Sequence, residues 1–98
     1  TFGILAMAIL HIISTHLSTE ALAKLKQRSH ADDAFVLMDD GVYSGLGLAD
    51  NPLSGCSVYV LHQHALQRGL GGVEMSVVHI DMAQLVALTV RYSSSMSW

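Results

Sequence analysis

The single cysteine of this 98-residue chain, Cys56, is the first side chain whose chemistry could define a function. It lies in Leu53-Ser54-Gly55-Cys56-Ser57, directly before an apolar run that predicts a strand. A thiolate can act as a nucleophile or carry sulfur, but it normally needs a neighbouring Lys, Arg or helix amino terminus to stabilise it. The sequence places none beside Cys56, so we predict a quiet, partly buried thiol. One cysteine cannot form an internal disulfide, which fits a reducing compartment.

The six histidines raise the question of a metal site, and His62 and His64 are the closest pair. Zinc usually has three or four protein ligands, and no cysteine lies near this pair. The two residues also span a predicted junction between a strand and a helix. We therefore predict no bound metal and an exposed His64. The glycines at 41–47 and 69–72 match neither phosphate-binding motif, so we predict no cofactor.

Polar residues follow the first two predicted strands, at the carboxyl edge of a parallel sheet, where open α/β folds bind their ligands. Ser14, Thr15 and His16 follow the first strand, and Asp39 and Asp40 follow the second. Adjacency in sequence does not create the geometry of a catalytic triad. We favour a turn role for the two aspartates over acid–base catalysis.

The elements that would position these residues alternate between strand and helix. Short apolar runs predict buried strands, and amphipathic segments with recognisable caps predict helices. Ser18 and Asp81 are expected to begin the first and last helices, and Gly69 to end the second. This alternation predicts a single-domain α/β fold, with a mostly parallel sheet of four to five strands and helices on both faces. The strands are expected at residues 8–13, 34–38, 57–62 and 76–80, and the helices at residues 18–28, 63–68 and 82–92.

The last predicted helix is apolar around about 200° of its circumference, about twice the stripe that faces one core. A polar segment, Ser93-Ser94-Ser95, then leads into an apolar tail. We interpret helix and tail as a subunit interface; the alternative is that the tail covers the helix within the chain. The predicted interface comprises Met82, Leu85, Val86, Leu88, Thr89, Tyr92, Met96 and Trp98.

The composition also favours an oligomer. Apolar residues make up 51% of the chain and charged residues 13%, about half of the usual ~25%. The net charge of −3 gives no electrostatic footprint for direct nucleic-acid binding, and we interpret the basic residues Lys24, Lys26 and Arg28 as a solvated helix face. The apolar run at residues 2–10 is far shorter than the ~20 residues of a spanning helix, so we expect no membrane segment.

Several short motifs follow one another along the chain in a characteristic order and spacing. They are Leu10-His11, Asp40-Gly41-Val42, Val58-Tyr59-Val60-Leu61, Leu66-Gln67-Arg68-Gly69-Leu70, Ile80-Asp81, Leu88-Thr89-Val90 and Met96-Ser97-Trp98. Together they resemble the DsrH/TusB family, small proteins of the DsrE/F/H-like fold that participate in sulfur relays. The resemblance covers residues 7–98, which we take as the domain, and we expect residues 1–6 to be an upstream extension or an expression remnant.

The resemblance implies a cytoplasmic subunit of a three-component complex, a heterohexamer with DsrE-like (TusD) and DsrF-like (TusC) partners. In tRNA-modifying bacteria this complex passes persulfide sulfur toward 2-thiouridine at the wobble position, an indirect link to tRNA. A related complex in sulfur-oxidising bacteria handles sulfur for oxidation. The active cysteine of the tRNA-modifying complex belongs to another subunit, although some DsrH members carry a cysteine in the helix after the first strand. Residues 18–28 contain none here.

We therefore expect a non-catalytic subunit of the tRNA-thiolation relay, one that could form homo-oligomers when isolated. Two alternatives remain open. In the first, Cys56 carries a persulfide and the protein is a sulfurtransferase. In the second, the protein is a stand-alone homo-oligomer of the same fold that binds a small ligand near Thr15, His16 and Asp40.

Overall fold

Five strands and three α-helices alternate in the computed structural model, which describes residues 5–44, 52–53, 55–70 and 77–98. A 3-10 helix, Asp39–Ser44, follows the second strand. No helix within these residues combines the length and apolar character needed to cross a bilayer. The strands are β1 (Leu5–Ile13), β2 (Ala34–Leu37), β3 (Ser57–Leu61), β4 (Val78–Ile80) and β5 (Tyr92–Ser97), and the helices are α1 (Thr19–Arg28), α2 (His62–Gln67) and α3 (Met82–Arg91).

The sheet is parallel throughout, with the strand order β4-β3-β2-β1-β5. All four residues of β2 are buried, and they alternate between the two faces. Phe35 and Leu37 join a hydrophobic cluster on one face, and Ala34 and Val36 join a cluster on the other. A continuous apolar run is thus a strand covered on both sides, which confirms the predicted α/β class.

Helices cover both faces of this sheet, as predicted. Leu22 and Leu25 of α1 and Ala65 of α2 pack into the first cluster. Leu85 and Leu88 of α3 pack into the second. The sheet therefore has a dry interior on each side, and polar chemistry is confined to its edges and to paired groups.

The predicted helix caps are present. The Ser18 hydroxyl accepts a hydrogen bond from the Ala21 amide at 3.1 Å. Asp81 accepts from the Gln84 amide at 2.8 Å, and the Gln84 side chain accepts from the Asp81 amide at 2.9 Å, which completes a capping box. Gly69 follows α2 with φ of +76°, a conformation that favours glycine.

The fifth strand corrects the predicted end of the chain. The last helix ends at Arg91 rather than Tyr92, and the serine-rich segment, for which no strand was predicted, belongs to β5, which pairs with β1. Backbone hydrogen bonds from the Trp98 amide to Ile12 and from the Ser14 amide to Trp98 extend this pairing. Sequence patterning missed the strand because its stability comes from the free edge of β1, not from alternating apolar side chains.

Gly41 lies where the chain leaving β2 passes over the end of β1. Its amide donates to the Met38 carbonyl at 2.8 Å, and the Met38 amide donates to the Ile13 carbonyl at 3.0 Å. A Cβ atom on Gly41 would overlap the Ile13 carbonyl group. Since the obstacle is backbone of the central sheet, it cannot rotate away as a side chain could.

We expect Gly41→Ala to lower the free energy of unfolding by more than about 2 kcal/mol, because the added methyl forces the backbone apart. Gly69→Ala is the matched control: it has a positive φ but open space around the new Cβ, so about 1 kcal/mol of conformational strain is expected. Urea denaturation of both variants measures the difference. Equal losses would contradict the steric argument.

Candidate functional site

A buried polar pair connects β1 to the turn before β2. His11 Nε2 lies 2.8 Å from Asp33 Oδ2, and both side chains are almost completely buried. Asp33 also accepts hydrogen bonds from the Ile9 amide at 2.9 Å and from the His30 amide at 3.2 Å. Both carboxylate oxygens are therefore satisfied, as a buried charge requires.

Trp98 completes this network from the far end of the chain. Its indole Nε1 donates to His11 Nδ1 at 3.1 Å. An indole N–H can only donate, so Nδ1 accepts and the imidazole carries its proton on Nε2, facing Asp33. The imidazole also stacks on Phe35, with ring centroids 5.0 Å apart. Each polar atom of His11 is thus assigned to a partner inside the protein.

The hydrogen bonds to Asp33 stabilise its ionised form. Burial alone would raise the pKa of Asp33, but the hydrogen bonds from the Ile9 amide, from His11 and from the His30 amide outweigh it. The pKa therefore lies below the ordinary value of 3.8. The resulting stabilisation is complete above the ordinary pKa and is lost as pH falls through the lower folded pKa.

Asp33 is the residue that sequence reasoning missed. His11 belongs to the Leu10-His11 motif, but the motif does not indicate a partner for its side chain. A signal was available: a histidine inside an otherwise apolar buried strand needs a polar partner, and Asp33 directly precedes the neighbouring strand. The register that pairs Leu10 with Ala34 brings the two residues together.

The aspartates at the carboxyl edge fasten the 3-10 helix to α2. The Asp39 amide donates to His64 Nδ1 at 2.9 Å, and Arg68 Nε donates to Asp40 Oδ1 at 3.1 Å. The turn role expected for Asp39 and Asp40 is thus accompanied by contacts to a helix. The prediction of an exposed His64 is wrong, because its side chain is half-buried against Asp39.

The other residues of the predicted ligand edge contact the far end of the 3-10 helix that begins at Asp39. The Thr15 carbonyl accepts from the Ser44 hydroxyl at 3.0 Å, and the His16 ring lies 5.7 Å from the Tyr43 ring, centroid to centroid. Asp40 instead contacts α2 through Arg68. The contacts of Thr15 and His16 thus connect the end of β1 to the 3-10 helix, and that of Asp40 connects the same helix to α2.

The two histidines considered together in sequence have different partners. His62 Nδ1 lies 2.8 Å from Nδ1 of His79, whereas His64 contacts Asp39. Within the part of the chain that the structure describes, no three His, Cys, Asp or Glu side chains form a metal-binding group. His62 and His64 are therefore not a pair of ligands for one ion.

Cys56 is half-buried and directly precedes β3, at the amino edge of the sheet. It lines a cavity of about 390 Å³ with Lys26, His30 and Asp33. The fold thus brings basic residues to the thiol that the sequence does not place beside it. This edge is opposite to the one that carries Asp39 and Asp40.

Some residues of the predicted interface are buried within the chain, and others are exposed on its surface. Leu85, Leu88 and Tyr92 are buried in the second cluster, and burial raises the pKa of the Tyr92 hydroxyl above its usual value. Trp98 packs against the first cluster. The remaining members, Met82, Val86, Thr89 and Met96, are exposed.

A family model described as DsrH like protein matches residues 16–95. The chain belongs to the DsrH/TusB family. The resemblance inferred from the motifs is thereby confirmed. Two of those motifs, Leu10-His11 and Met96-Ser97-Trp98, meet in this DsrH/TusB chain through the hydrogen bond between Trp98 and His11.

Curated relatives of this DsrH/TusB chain carry the name Protein TusB. The proteins from Salmonella arizonae and Salmonella newport are each 38% identical over 74 residues, which covers 67% of this chain and 75% of the relative. Their similarity extends over most of their own length.

Solved structures share the fold. The crystal structure of the ychN protein from E. coli superposes with a TM-score of 0.67 at 17% identity, covering 96% of this chain and 100% of that chain. The NMR structure of protein Tm0979 from Thermotoga maritima gives a TM-score of 0.57 at 26% identity. The superposition covers 86% of this chain and 92% of that chain. The likeness to ychN is one of fold alone. The predicted DsrE/F/H-like fold is confirmed.

We expect Asp33→Asn to destabilise the protein by about 2–4 kcal/mol, because the amide presents N–H groups where the buried network needs an acceptor. The variant should also lose part of the acid dependence: wild-type stability falls as pH drops below about 5, and the variant falls less. Chemical denaturation between about pH 2 and pH 7, a range that extends below the ordinary pKa of an aspartate, measures both effects.

Asp32→Asn serves as the control for this substitution, since Asp32 is the adjacent but exposed aspartate. It should change stability by no more than about 0.5 kcal/mol. Identical pH profiles for wild type and Asp33→Asn would contradict the role assigned to Asp33.

Proposed function

We propose that this chain is a non-catalytic subunit of a cytoplasmic sulfur-relay complex that acts in 2-thiolation of the tRNA wobble uridine. Its partners would be a DsrE-like (TusD) and a DsrF-like (TusC) subunit, together in a heterohexamer. The chain would contact them through the outward face of α3 and the exposed part of β5. Family membership and the name of its TusB relatives support this assignment.

The outward face of α3 is the observation that carries the proposal. Leu85 and Leu88 point into the core, and at 100° per residue Ala83 and Val90 lie almost diametrically opposite them. Val86 and Met82 continue this exposed apolar face. A helix that contacts only its own core normally presents polar residues to water. An apolar side directly opposite the core favours a protein partner.

Thr89 lies at the border of this apolar face, next to Met82. The Thr89 hydroxyl donates to the Val86 carbonyl at 2.7 Å, so its hydrogen atom is used within the helix. Val90 is 72% exposed. Met96 of β5 is also exposed, but its register with His11 places it on the sheet face opposite to α3. Burying such side chains against a partner contributes roughly 25 cal/mol per Å² of apolar surface.

Helix α1 contains no cysteine, which favours a structural role for this subunit over a sulfur-carrying one. Some members of this family carry a cysteine in the equivalent helix, as the resemblance implies. Cys56 instead directly precedes β3, far from α1 in sequence and at the amino edge of the sheet. No residue of the described chain inherits a sulfur-carrying position.

A second candidate function makes Cys56 a persulfide carrier. The observation that favours it is the cavity shared with Lys26 and His30, since basic neighbours stabilise a thiolate. Lys26 also has an interaction of its own, and the carboxylate of Asp33 lines the same cavity and opposes a second negative charge. We therefore place this function second.

If the outward face of α3 is the interface, a charged residue placed on it should weaken binding to the partner subunits. Co-expressed with the DsrE-like and DsrF-like subunits, the wild-type chain should co-purify with both. Val86→Lys should weaken this association by about tenfold or more, because the ammonium would have to be desolvated in the contact. Affinity capture followed by analytical size exclusion measures the amount of each subunit bound.

Val78→Lys is the matched control, because Val78 on β4 is 56% exposed and Val86 on α3 is 57% exposed. Lysine is well tolerated on an edge strand. The control should retain both partners. If wild type captures neither partner, or if both variants associate like wild type, the proposed interface is refuted.

Replacement of Cys56 separates the two candidate functions. In a strain that lacks the gene, Cys56→Ser should restore 2-thiouridine in tRNA to the wild-type level, because the proposed subunit does not hold sulfur. Mass spectrometry of digested tRNA measures the modified nucleoside, with protein abundance matched by immunoblot. Loss of 2-thiouridine at equal abundance would establish Cys56 as a carrier and overturn the non-catalytic assignment.

A further inference from the structure

His62 and His79 converge at the carboxyl ends of β3 and β4. Their Nδ1 atoms lie 2.8 Å apart, and the rings meet edge to face with centroids 4.9 Å apart. The strand register explains the meeting, since Leu61 pairs with Ile80 and His62 and His79 flank that pair. The residues are 17 positions apart in sequence, so only the parallel pairing of the strands brings them together.

The convergence places two nitrogen donors around one point. A neutral imidazole has one N–H and one lone pair, so the observed contact is a hydrogen bond in which one Nδ1 donates and the other accepts. If the donating ring moves its proton to Nε2, both Nδ1 lone pairs face the same point and no net proton is released. Two imidazole nitrogens are preferred ligands for zinc, nickel and copper ions.

The geometry requires only a small adjustment to hold such an ion. Two Zn–N bonds of about 2.1 Å at a tetrahedral angle place the nitrogens about 3.4 Å apart. Small rotations of the side chains would supply the increase, since His62 is exposed and His79 is half-buried. The rings lie at a groove of about 530 Å³ between α2, β4 and α3, which leaves room for further ligands.

Other polar side chains along the groove have contacts of their own. His64 accepts from the Asp39 amide, while Asp81 and Gln84 form the capping box of α3. Among the described residues no third His, Cys, Asp or Glu joins the pair. The protein therefore offers two ligands and leaves the other coordination positions to water or to a donor from another molecule.

We propose that His62 and His79 form an open two-histidine binding site for a borderline divalent transition-metal ion such as Zn²⁺. His62 and His79 do not belong to the apolar face of α3, although Met82 of that face borders the groove, and they lie at the sheet edge opposite to Cys56. The proposed metal site does not rest on the sulfur-relay function. With two protein ligands it binds its ion exchangeably, unlike the closed four-ligand sites that hold structural zinc.

Isothermal titration of the full chain with ZnCl₂ tests the site. Wild type should bind one Zn²⁺ per chain, and His62→Ala and His79→Ala should each weaken binding by at least about tenfold. Loss of groups that merely orient a ligand already costs about 10- to 100-fold in metal affinity, so loss of a ligand should cost no less. Circular dichroism verifies that the variants are folded.

His30→Ala is the matched control, because it also removes one exposed histidine, but at the opposite edge of the sheet. It should bind Zn²⁺ like wild type. Mg²⁺, which prefers oxygen ligands, should not bind at this site. The proposal is overturned if wild type does not bind Zn²⁺, if either pair variant binds it undiminished, or if His30→Ala weakens binding equally.

Discussion

The buried contact between His11 and Asp33 is the constraint that fixes how the sheet is assembled. Both faces of the sheet are dry, so a histidine and a carboxylate inside it must satisfy one another or destabilise the fold by several kcal/mol. Their partners come from β1, from the turn before β2 and, through Trp98, from the residue after β5. Three segments distant in sequence must therefore take their positions together. This requirement also explains why a serine-rich segment is held as a strand.

The parallel sheet separates the remaining polar groups into two edges. Residues that precede strands collect at the amino edge, which holds Cys56, and residues that follow strands collect at the carboxyl edge, which holds Asp39 and the His62–His79 pair. The single thiol of the chain is thus remote from the edge where open α/β folds usually bind ligands. This placement of Cys56 supports the proposal of association through α3 over the alternative of chemistry at Cys56.

Local sequence signals predicted most of the framework. The caps at Ser18 and Asp81, the left-handed residue Gly69 and the continuous apolar run of β2 each depend on neighbours within a few positions. The fifth strand was missed because β5 depends on hydrogen bonds to β1 and carries no apolar alternation. Asp33 was missed because nothing within its own segment shows that it is buried beside His11. Similarly, the wide apolar surface of α3 favoured association, but the width of that surface did not show which of its residues face the core.

The sequence by itself determined the alternation of strands and helices, the parallel α/β class, family membership through its motifs, and the lack of a cysteine in α1. These properties depend on local periodicity, on helix caps and on the order of motifs along the chain. Only the tertiary structure decided that His11 binds Asp33 and Trp98, that His62 meets His79 rather than acting with His64, and that Val86 and Val90 face outward. The physical reason is that such contacts depend on strand register and on which side of each element is covered. Both are fixed by the packing of segments far apart in sequence.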